Sequence, residues 1–539
     1  MKPSNYVVYL NVPETDDFYL IHGYSGAVDK VSPEVMRYML DHADPEHTWH
    51  TKDMDLIRQV LAGRELGEIT PESLEMLQKR GYLTTMSTAE ELRYVERLAG
   101  FLHSRKVRDV APNFMLVPSY ECNLRCPYCF ETDMRVDLGK MKILQNVMTE
   151  PMVNAAFRSM DVIFNDRYAD RPELGAVQQR SITLYGGEPL MLETLPVITY
   201  ILELGKQKGY TFNAITNAVD LHHYLHLLGP DKIKFLQITL DGPKDTHDKK
   251  RIGPRHKGGT YDRIIENIKL ALPTGVQISV RFHVDFTNID RARDLTEDLK
   301  REGMGEYENF NVYTYPIHNF HRGMDTPQYP MMAIHQMQRA ILKMAADKAL
   351  EPAPPPLPDG TAAKSLKVLV ADEGVQTKIK AYVKGQLLGI YNAGIEPCAA
   401  TTGLYIFDPL WKIYTCWDSV GMPGHETGSY RPDSVSLNEL NRTWLSRSPA
   451  TISECKQCKY AFFHFGGCAS LPVGSKGKIL EPACYDFQDN FIFSAQRFFN
   501  QGIEKILDKE TAPIGIQEVP QELPLEIPSE EGLMIRAPL

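Results

Sequence analysis

Three of the chain's nine cysteines stand at Cys122, Cys126 and Cys129, a C-x3-C-x2-C spacing that no hydrophobic core requires. The other six, Cys398, Cys416, Cys455, Cys458, Cys468 and Cys484, all lie after residue 397. Core thiols scattered by packing alone would not gather into two groups. An odd count leaves one thiol over in any disulfide scheme. The opening Met1-Lys2-Pro3-Ser4-Asn5-Tyr6 lacks the charged-then-apolar layout of an export signal. The expected location is therefore cytoplasmic, where thiols stay reduced, and the expected job of these cysteines is metal ligation.

At 539 residues the chain exceeds one small core and divides into about two to four domains. Lys+Arg 59 against Asp+Glu 69 gives a net charge of −10, which argues against a nucleic-acid partner. No apolar run reaches the ~18 residues of a membrane span, so no membrane partner is expected. Residues 1–105 predict a small α+β, winged-helix-like domain, with strands at Tyr6–Val12 and Phe18–Ile21. Ser32-Pro33-Glu34 and Thr70-Pro71-Glu72 each offer a hydroxyl cap, a first-turn proline and an early acid, so both should start helices. This domain would either recognise a peptide or cap the next one.

From 111 to 325 strands and helices alternate. The strands are expected at Phe114–Val117, Ile182–Tyr185, Thr211–Thr216, Phe235–Leu240, Val276–Asp285 and Asn311–Tyr315. Helices are expected at Leu192–Leu204 and Tyr261–Leu272. That alternation predicts parallel β/α units, open or closed into a barrel, with chemistry at the C-terminal strand ends. Residues 326–395 read as a bridge, with a helix near 330–348 and a proline-rich linker at 352–358. Residues 396–490 form a cysteine-rich domain short of long periodic segments. Residues 491–539 give a terminal helix and a Glu/Pro-rich disordered tail.

Three thiolates at the Cys122–Cys129 spacing can hold three corners of a cubic iron–sulfur cluster and leave the fourth iron open for a small molecule. A structural zinc would want a fourth ligand nearby, and no His or Cys follows Cys129 for many residues. With Tyr128 as the aromatic before the last cysteine, the segment resembles the signature of the radical S-adenosylmethionine (radical SAM) superfamily. Tyr185-Gly186-Gly187-Glu188-Pro189 resembles that family's GGEP element, and Thr216-Asn217-Ala218 its TNG strand end. Thr239-Leu240-Asp241-Gly242-Pro243 resembles its SLDGP element, with His247, Asp248 and Arg251 behind it. Gly258-Gly259-Thr260-Tyr261-Asp262 matches a stretch of the peptide-modifying branch.

The resemblance implies a partial (β/α)6 TIM-like barrel carrying a [4Fe-4S] cluster that binds AdoMet. It assigns cofactor contacts to Tyr128, Gly186, Gly187, Glu188, Pro189, Asn217, Thr239 and Arg251. Glu188 would suit the methionine ammonium, Thr239 the ribose or carboxylate, and Arg251 the carboxylate. The implied chemistry is reductive cleavage of AdoMet to a 5′-deoxyadenosyl radical, which takes a hydrogen atom from substrate. A flavodoxin or ferredoxin would be the electron donor.

The second cysteine group resembles the SPASM extension: a cysteine, a gap with Gly403, Cys416, then Cys455-x2-Cys458, Cys468 and Cys484. One place departs, because His464 stands where the pattern has cysteine. Imidazole can replace thiolate on iron, although His464 among Phe462, Phe463 and Phe465 also reads as a packed core histidine. By resemblance Cys398, Cys416 and Cys468 hold one auxiliary iron–sulfur cluster, and Cys455, Cys458, His464 and Cys484 hold another. A zinc knuckle is the alternative for C-x2-C.

The SPASM resemblance implies a peptide or protein maturase, of the kind found in the anaerobic sulfatase-maturating and ribosomal-peptide-modifying branch. The expected reaction is a cross-link or epimerisation in a ribosomal peptide with a leader segment. Sulfatase-maturing members carry a further cysteine six residues after the first SPASM cysteine, where this chain has Leu404. They also have aspartate directly after the second, where it has Trp417 and then Asp418. Asp418 is a candidate acid/base. The competing readings are maturation of a folded protein's catalytic residue or quinone cofactor, and a non-catalytic iron–sulfur electron carrier. The GGEP-like and SLDGP-like elements would be idle in the carrier.

Overall fold

The computed structural model describes residues 1–46, 49–129, 131, 147–254, 258–317, 398–484 and 487–500, with short pieces at 325–326, 329–330, 336–337, 340 and 368–369. The linker at 352–358, most of the bridge and the tail lie outside the described residues. The chain packs as two compact units. Among the described residues, the first holds Met1–Val107, Cys398 and 446–500, and the second holds 108–317 and 399–445. The cysteine-rich residues 396–490 thus contribute to both units, with 399–445 in the second and Cys398 and the residues from Ser446 in the first.

In the first unit, strands β1 (Val7–Val12), β2 (Asp17–His22) and β3 (Val28–Val31) form an antiparallel sheet. Side chains alternate across a strand, and here both faces are covered. Val7, Tyr9, Phe18 and Leu20 pack with helices α1 (Pro33–Asp41), α2 (Lys52–Leu61) and α3 (Pro71–Lys79). Tyr6, Val8, Leu10, Tyr19 and Ile21 pack instead with α4 (Thr88–Asp109), with Cys458–Phe463 and with the helix Phe487–Asn500. That two-sided burial is why every residue of β1 is buried. The Ser32 and Thr70 hydroxyls cap α1 and α3, accepting from Val35 N and Ser73 N, with Pro33 and Pro71 in the first turns.

In the second unit, β4 (Asn113–Leu116), β5 (Arg180–Leu184), β6 (Tyr210–Thr216), β7 (Ile233–Leu240), β8 (Gln277–Val284) and β9 (Phe310–Pro316) lie side by side in chain order, all parallel. The alternation predicted these parallel β/α units, and their arrangement fits the partial (β/α)6 barrel that the resemblance implies. Its core joins the strands to α5 (Glu150–Arg167), α6 (Leu195–Gln207), α7 (Tyr261–Ala271) and α8 (Ala292–Arg301), through residues such as Phe157, Ile201, Ile268 and Leu299.

Beyond β4 the sheet continues with strands the sequence reading missed. Strand β10 (Leu404–Phe407) pairs parallel to β4, and β11 (Lys412–Tyr414), β12 (Gly428–Arg431) and β13 (Ser434–Leu437) follow antiparallel. Gly403 sets the entry. Its φ is +114°, and a Cβ there would overlap the Arg167 guanidinium, which donates to Thr402 O at 2.7 Å and Val110 O at 3.0 Å. Short strands of two to four residues carry too little periodicity to be read from sequence alone. No helix among the described residues is long and apolar enough to cross a membrane.

Candidate active site

The motifs at Cys122–Cys129, Tyr185–Pro189, Thr216–Ala218 and Thr239–Pro243 fall at or just past the C-terminal ends of neighbouring barrel strands, which bring them together. The loop after β4 carries Cys122, Cys126 and Cys129, with Cys126 buried and the other two half-buried. After β5, Gly186 adopts φ +126°, and a Cβ on Gly187 would overlap the carbonyls of Tyr120 and Glu121. Glycine therefore lets this turn press against the stretch leading into Cys122, where Glu188 N donates to Glu121 O at 2.8 Å.

Glu188 is buried and ties two strand ends. Its Oε1 accepts from Leu190 N at 2.8 Å and Thr216 Oγ1 at 2.6 Å, and its Oε2 accepts from Asn217 N at 2.6 Å. A carboxylate offers about four acceptor positions, so Oε2 keeps one for a ligand. Burial pushes the Glu188 carboxyl up to about 7, with the three hydrogen bonds pulling the other way. Asn217 holds the cysteine loop: its Nδ2 donates to Asn123 Oδ1 at 2.8 Å and lies 3.8 Å from Cys122 Sγ. Pro189 O accepts from Thr194 Oγ1 at 2.6 Å, fixing the end of the turn, and Thr239 is buried near the end of β7.

Tyr128 joins the cysteine loop to β7. Its hydroxyl donates to Asp241 Oδ2 at 2.6 Å and accepts from Arg251 Nη1 at 2.8 Å. Burial raises the Asp241 carboxyl, with Arg251 acting against it. The Arg251 position is locked from behind. Asp248 Oδ1 accepts from Thr260 N at 2.8 Å and Tyr261 N at 3.0 Å, and Thr260 Oγ1 donates to Arg251 O at 3.2 Å. A Cβ on Gly259, at φ +92°, would overlap the Asp248 carboxylate. The Gly258–Asp262 stretch is thus the brace that holds Arg251.

The residues fit the group they are expected to hold. Three soft thiol donors without a fourth suit iron–sulfur ligation with one open corner. Asp241 Oδ1 and Arg251 Nε are buried at the same mouth with no hydrogen bond among the described residues. A ligand carrying both a carboxylate and donor groups, as AdoMet does, would satisfy both. No three His, Cys, Asp or Glu side chains among the described residues converge on a single ion; a cubane holds its thiolates farther apart than one ion does.

Asp418 sits in the turn after Cys416, which lies at the end of β11; Cys416 is buried and Asp418 half-buried. Burial first, then the charges of Asp418, Glu131, Cys129 and Cys416, push the Tyr185 phenol well above its usual range. Asp418 and the last cysteine of the first motif therefore act on the same phenol. Glu131, two residues past Cys129 and 3% exposed, was not singled out from sequence. Neither were Asp241 or His283, whose ring meets Tyr128 edge-on at 5.7 Å. The quoted SLDGP-like element contained the only signal for any of them, Asp241.

Cys416 belongs to the second unit, and Cys398, Cys455, Cys458, Cys468 and Cys484 belong to the first. Cys455 and Cys458 form a tight knuckle, with Cys458 N donating to Cys455 O at 3.1 Å and Tyr460 N to Cys458 Sγ at 3.4 Å. Burial pushes the Cys458 thiol up to about 12 and that of Cys455 higher still; a bound metal reverses that by deprotonating its thiols. The His464 ring stacks on Phe487 at 4.0 Å. It is followed by three residues at positive φ, Phe465, Gly466 and Gly467, which turn the chain sharply into Cys468.

Residues 116–299 match the family model described as the radical SAM superfamily. The chain is 25% identical over 158 residues to the cysteine-type anaerobic sulfatase-maturating enzyme of Clostridium novyi (strain NT), a match spanning 28% of this chain and 38% of that relative. Native anSMEcpe with bound AdoMet superposes with a TM-score of 0.50 at 14% identity, over 74% of this chain and 98% of that one. SuiB of Streptococcus suis bound to S-adenosylmethionine gives 0.41 at 13% identity, over 89% and 98%. The six parallel strands, the three-cysteine loop at their mouth and the family match identify residues 116–299 as a radical SAM domain.

Proposed function

We propose that this chain is a radical AdoMet enzyme that acts on a ribosomal peptide, forming a cross-link or inverting a centre. The observation that carries this reading is the pairing of β10 to β4 and of β11 to β10, which brings the turn holding Cys416 and Asp418 alongside the barrel strands, where their charges, with those of Cys129 and Glu131, act on the Tyr185 phenol. This supports Asp418 as a candidate acid/base, and Cys416 as a SPASM-like cysteine, near the loop expected to generate the radical. A cluster held by Cys122, Cys126 and Cys129 would supply the one-electron reduction that cleaves AdoMet, and with it the capacity to take a hydrogen atom from substrate.

The chain's own residues do the rest. Cys122, Cys126 and Cys129 hold the cluster. The Tyr128–Asp241–Arg251 set orients the AdoMet carboxylate, and the remaining Glu188 acceptor meets its ammonium. Asp418 accepts the proton that an oxidative outcome releases. Auxiliary clusters on the C-terminal cysteines would take the accompanying electron, while a flavodoxin or ferredoxin would feed the first cluster. Residues 1–105 would hold the leader segment.

A second reading, maturation of a residue in a folded protein, is favoured by the relative named as sulfatase-maturating. Leu404 and Trp417 count against the sulfatase form of it.

The test is anaerobic co-expression with each short peptide encoded beside the gene, with Cys126→Ala as the inactive control. Loss of two hydrogens from one peptide, only with the intact enzyme, supports an oxidative cross-link. Deuterium uptake from heavy water at otherwise unchanged mass supports epimerisation. If AdoMet is cleaved to 5′-deoxyadenosine while every peptide stays unchanged, the peptide reading fails and the folded-protein reading takes its place.

A further inference from the structure

The first unit contains a buried cation that the radical SAM chemistry does not use. Arg447 is 2% exposed. Its Nε donates to Ile479 O at 2.8 Å and its Nη1 to Phe465 O at 3.2 Å; its Nη2 donates to Gly466 O at 2.8 Å and Glu481 O at 3.1 Å. Four of the five guanidinium N–H groups thus bind backbone carbonyls from two loops. One loop joins His464 to Cys468, and the other leads into Cys484. The loops also bond each other, Ala483 N to Gly466 O at 2.8 Å. Gly466 is required here, because a Cβ would meet Ile452 at 2.5 Å and the Arg447 nitrogens at 3.2 and 3.3 Å.

The hydrogen bonds solvate the guanidinium but supply no charge. Among the described residues no carboxylate lies within ion-pair distance of it. A full charge in a dry interior is costly unless an opposite charge faces it. The groups whose negative charge acts most on Arg447 are Cys455, Cys468, Cys398 and Cys484. All four belong to the group expected to bind auxiliary iron, and a thiolate-ligated cluster carries net negative charge.

We propose that Arg447 is the counter-charge and positioning residue of the auxiliary iron–sulfur site, fixing the Cys468 and Cys484 loops and holding the cluster potential up. This rests on the reading that these cysteines bind an iron–sulfur cluster. A nearby cation stabilises the more negative, reduced form, so its removal makes the cluster harder to reduce. Among the described residues, none of the Arg447 hydrogen bonds goes to a residue of the barrel mouth, so the first cluster is expected to keep its properties.

The test compares the full-length wild type with Arg447→Gln and Arg447→Lys, each reconstituted anaerobically. Iron per chain and the midpoint potentials of the reduced clusters, followed by electron paramagnetic resonance, are the readouts. Arg447→Gln is expected to lose auxiliary iron or to shift its auxiliary signal to more negative potential. Arg447→Lys, which keeps the charge, is expected to restore most of both. The signal that AdoMet perturbs stays unchanged in all three proteins. The proposal is overturned if Arg447→Gln matches the wild type, or if Arg447→Lys is as impaired as Arg447→Gln. A wild type holding only about four irons per chain would instead overturn the auxiliary-cluster reading beneath it.

Discussion

The mouth of the barrel and the cysteine-bearing end of the first unit place their cysteines by opposite means. At the barrel mouth the three cysteines lie within one loop, and their supports Glu188, Asn217 and Asp241 come from the ends of adjacent strands in chain order, with Arg251 following the short helix Lys244–Lys250. In the first unit the ligand candidates run from Cys398 to Cys484, and their supports come from the far end of the chain. Tyr6 donates through its hydroxyl to Lys456 O. Lys459, directly after Cys458, forms a fully buried pair with Asp53 of α2 at 2.6 and 2.8 Å, and Asp53 also accepts from Tyr9 N. A Cβ on Gly23 would overlap the Lys459 carbonyl. The barrel positions ligands by repetition of one local unit, whereas the first unit positions them by closing very long loops.

The difference predicts separable failures. Cys126→Ala should abolish AdoMet cleavage, by more than about 10³-fold, while the C-terminal cysteines keep their iron; loss of all iron would mean that the two regions load together. Asp53→Ala leaves the Lys459 ammonium buried and unpaired, which costs about 3–5 kcal/mol. Urea unfolding should show the first unit melting early. An Asp53→Leu, Lys459→Met double variant should recover most of that loss, whereas a double variant as weak as Asp53→Ala would mean the unpaired ammonium is not the source of the loss.

At the barrel mouth the effects are smaller and graded. The Glu188 carboxyl is raised by burial from 4.5 to about 7, so it is mostly neutral at low pH and must ionise to face an ammonium. AdoMet binding should therefore tighten as pH rises from about 4.5, by up to about tenfold per unit, and level off above about 7. In Glu188→Gln the profile should be flat over that window. Equilibrium binding across pH separates the two. Tyr128→Phe removes the hydroxyl that bridges Asp241 and Arg251 and should weaken AdoMet binding by about 1.5 kcal/mol, roughly tenfold, without loss of iron.

Legibility followed the same division. The barrel strands were readable because each is apolar or alternates along a buried face and is bounded by a turn, and the site was readable because its motifs punctuate those strands. The Gly258–Asp262 stretch was recognised as a pattern, but its role bracing Arg251 through Asp248 needed coordinates. Strands β10 to β13 were missed because they are short and because β10, which starts the run, takes its partner from β4, nearly three hundred residues earlier. Arg447 gave no signal at all, since an arginine between a helix and a serine reads as surface until its burial is known.

The amino-acid sequence by itself determined the three-cysteine loop, the strand-end motifs and the caps at Ser32 and Thr70, because each depends on residues a few positions apart. The tertiary structure alone decided which carbonyls Arg447 gathers, which lysine Asp53 neutralises and how the cysteine-rich segment divides between the two units. Those outcomes depend on burial. Burial sets the cost of a charge or an unpaired polar atom, and it is a property of the assembled layers rather than of any stretch of chain.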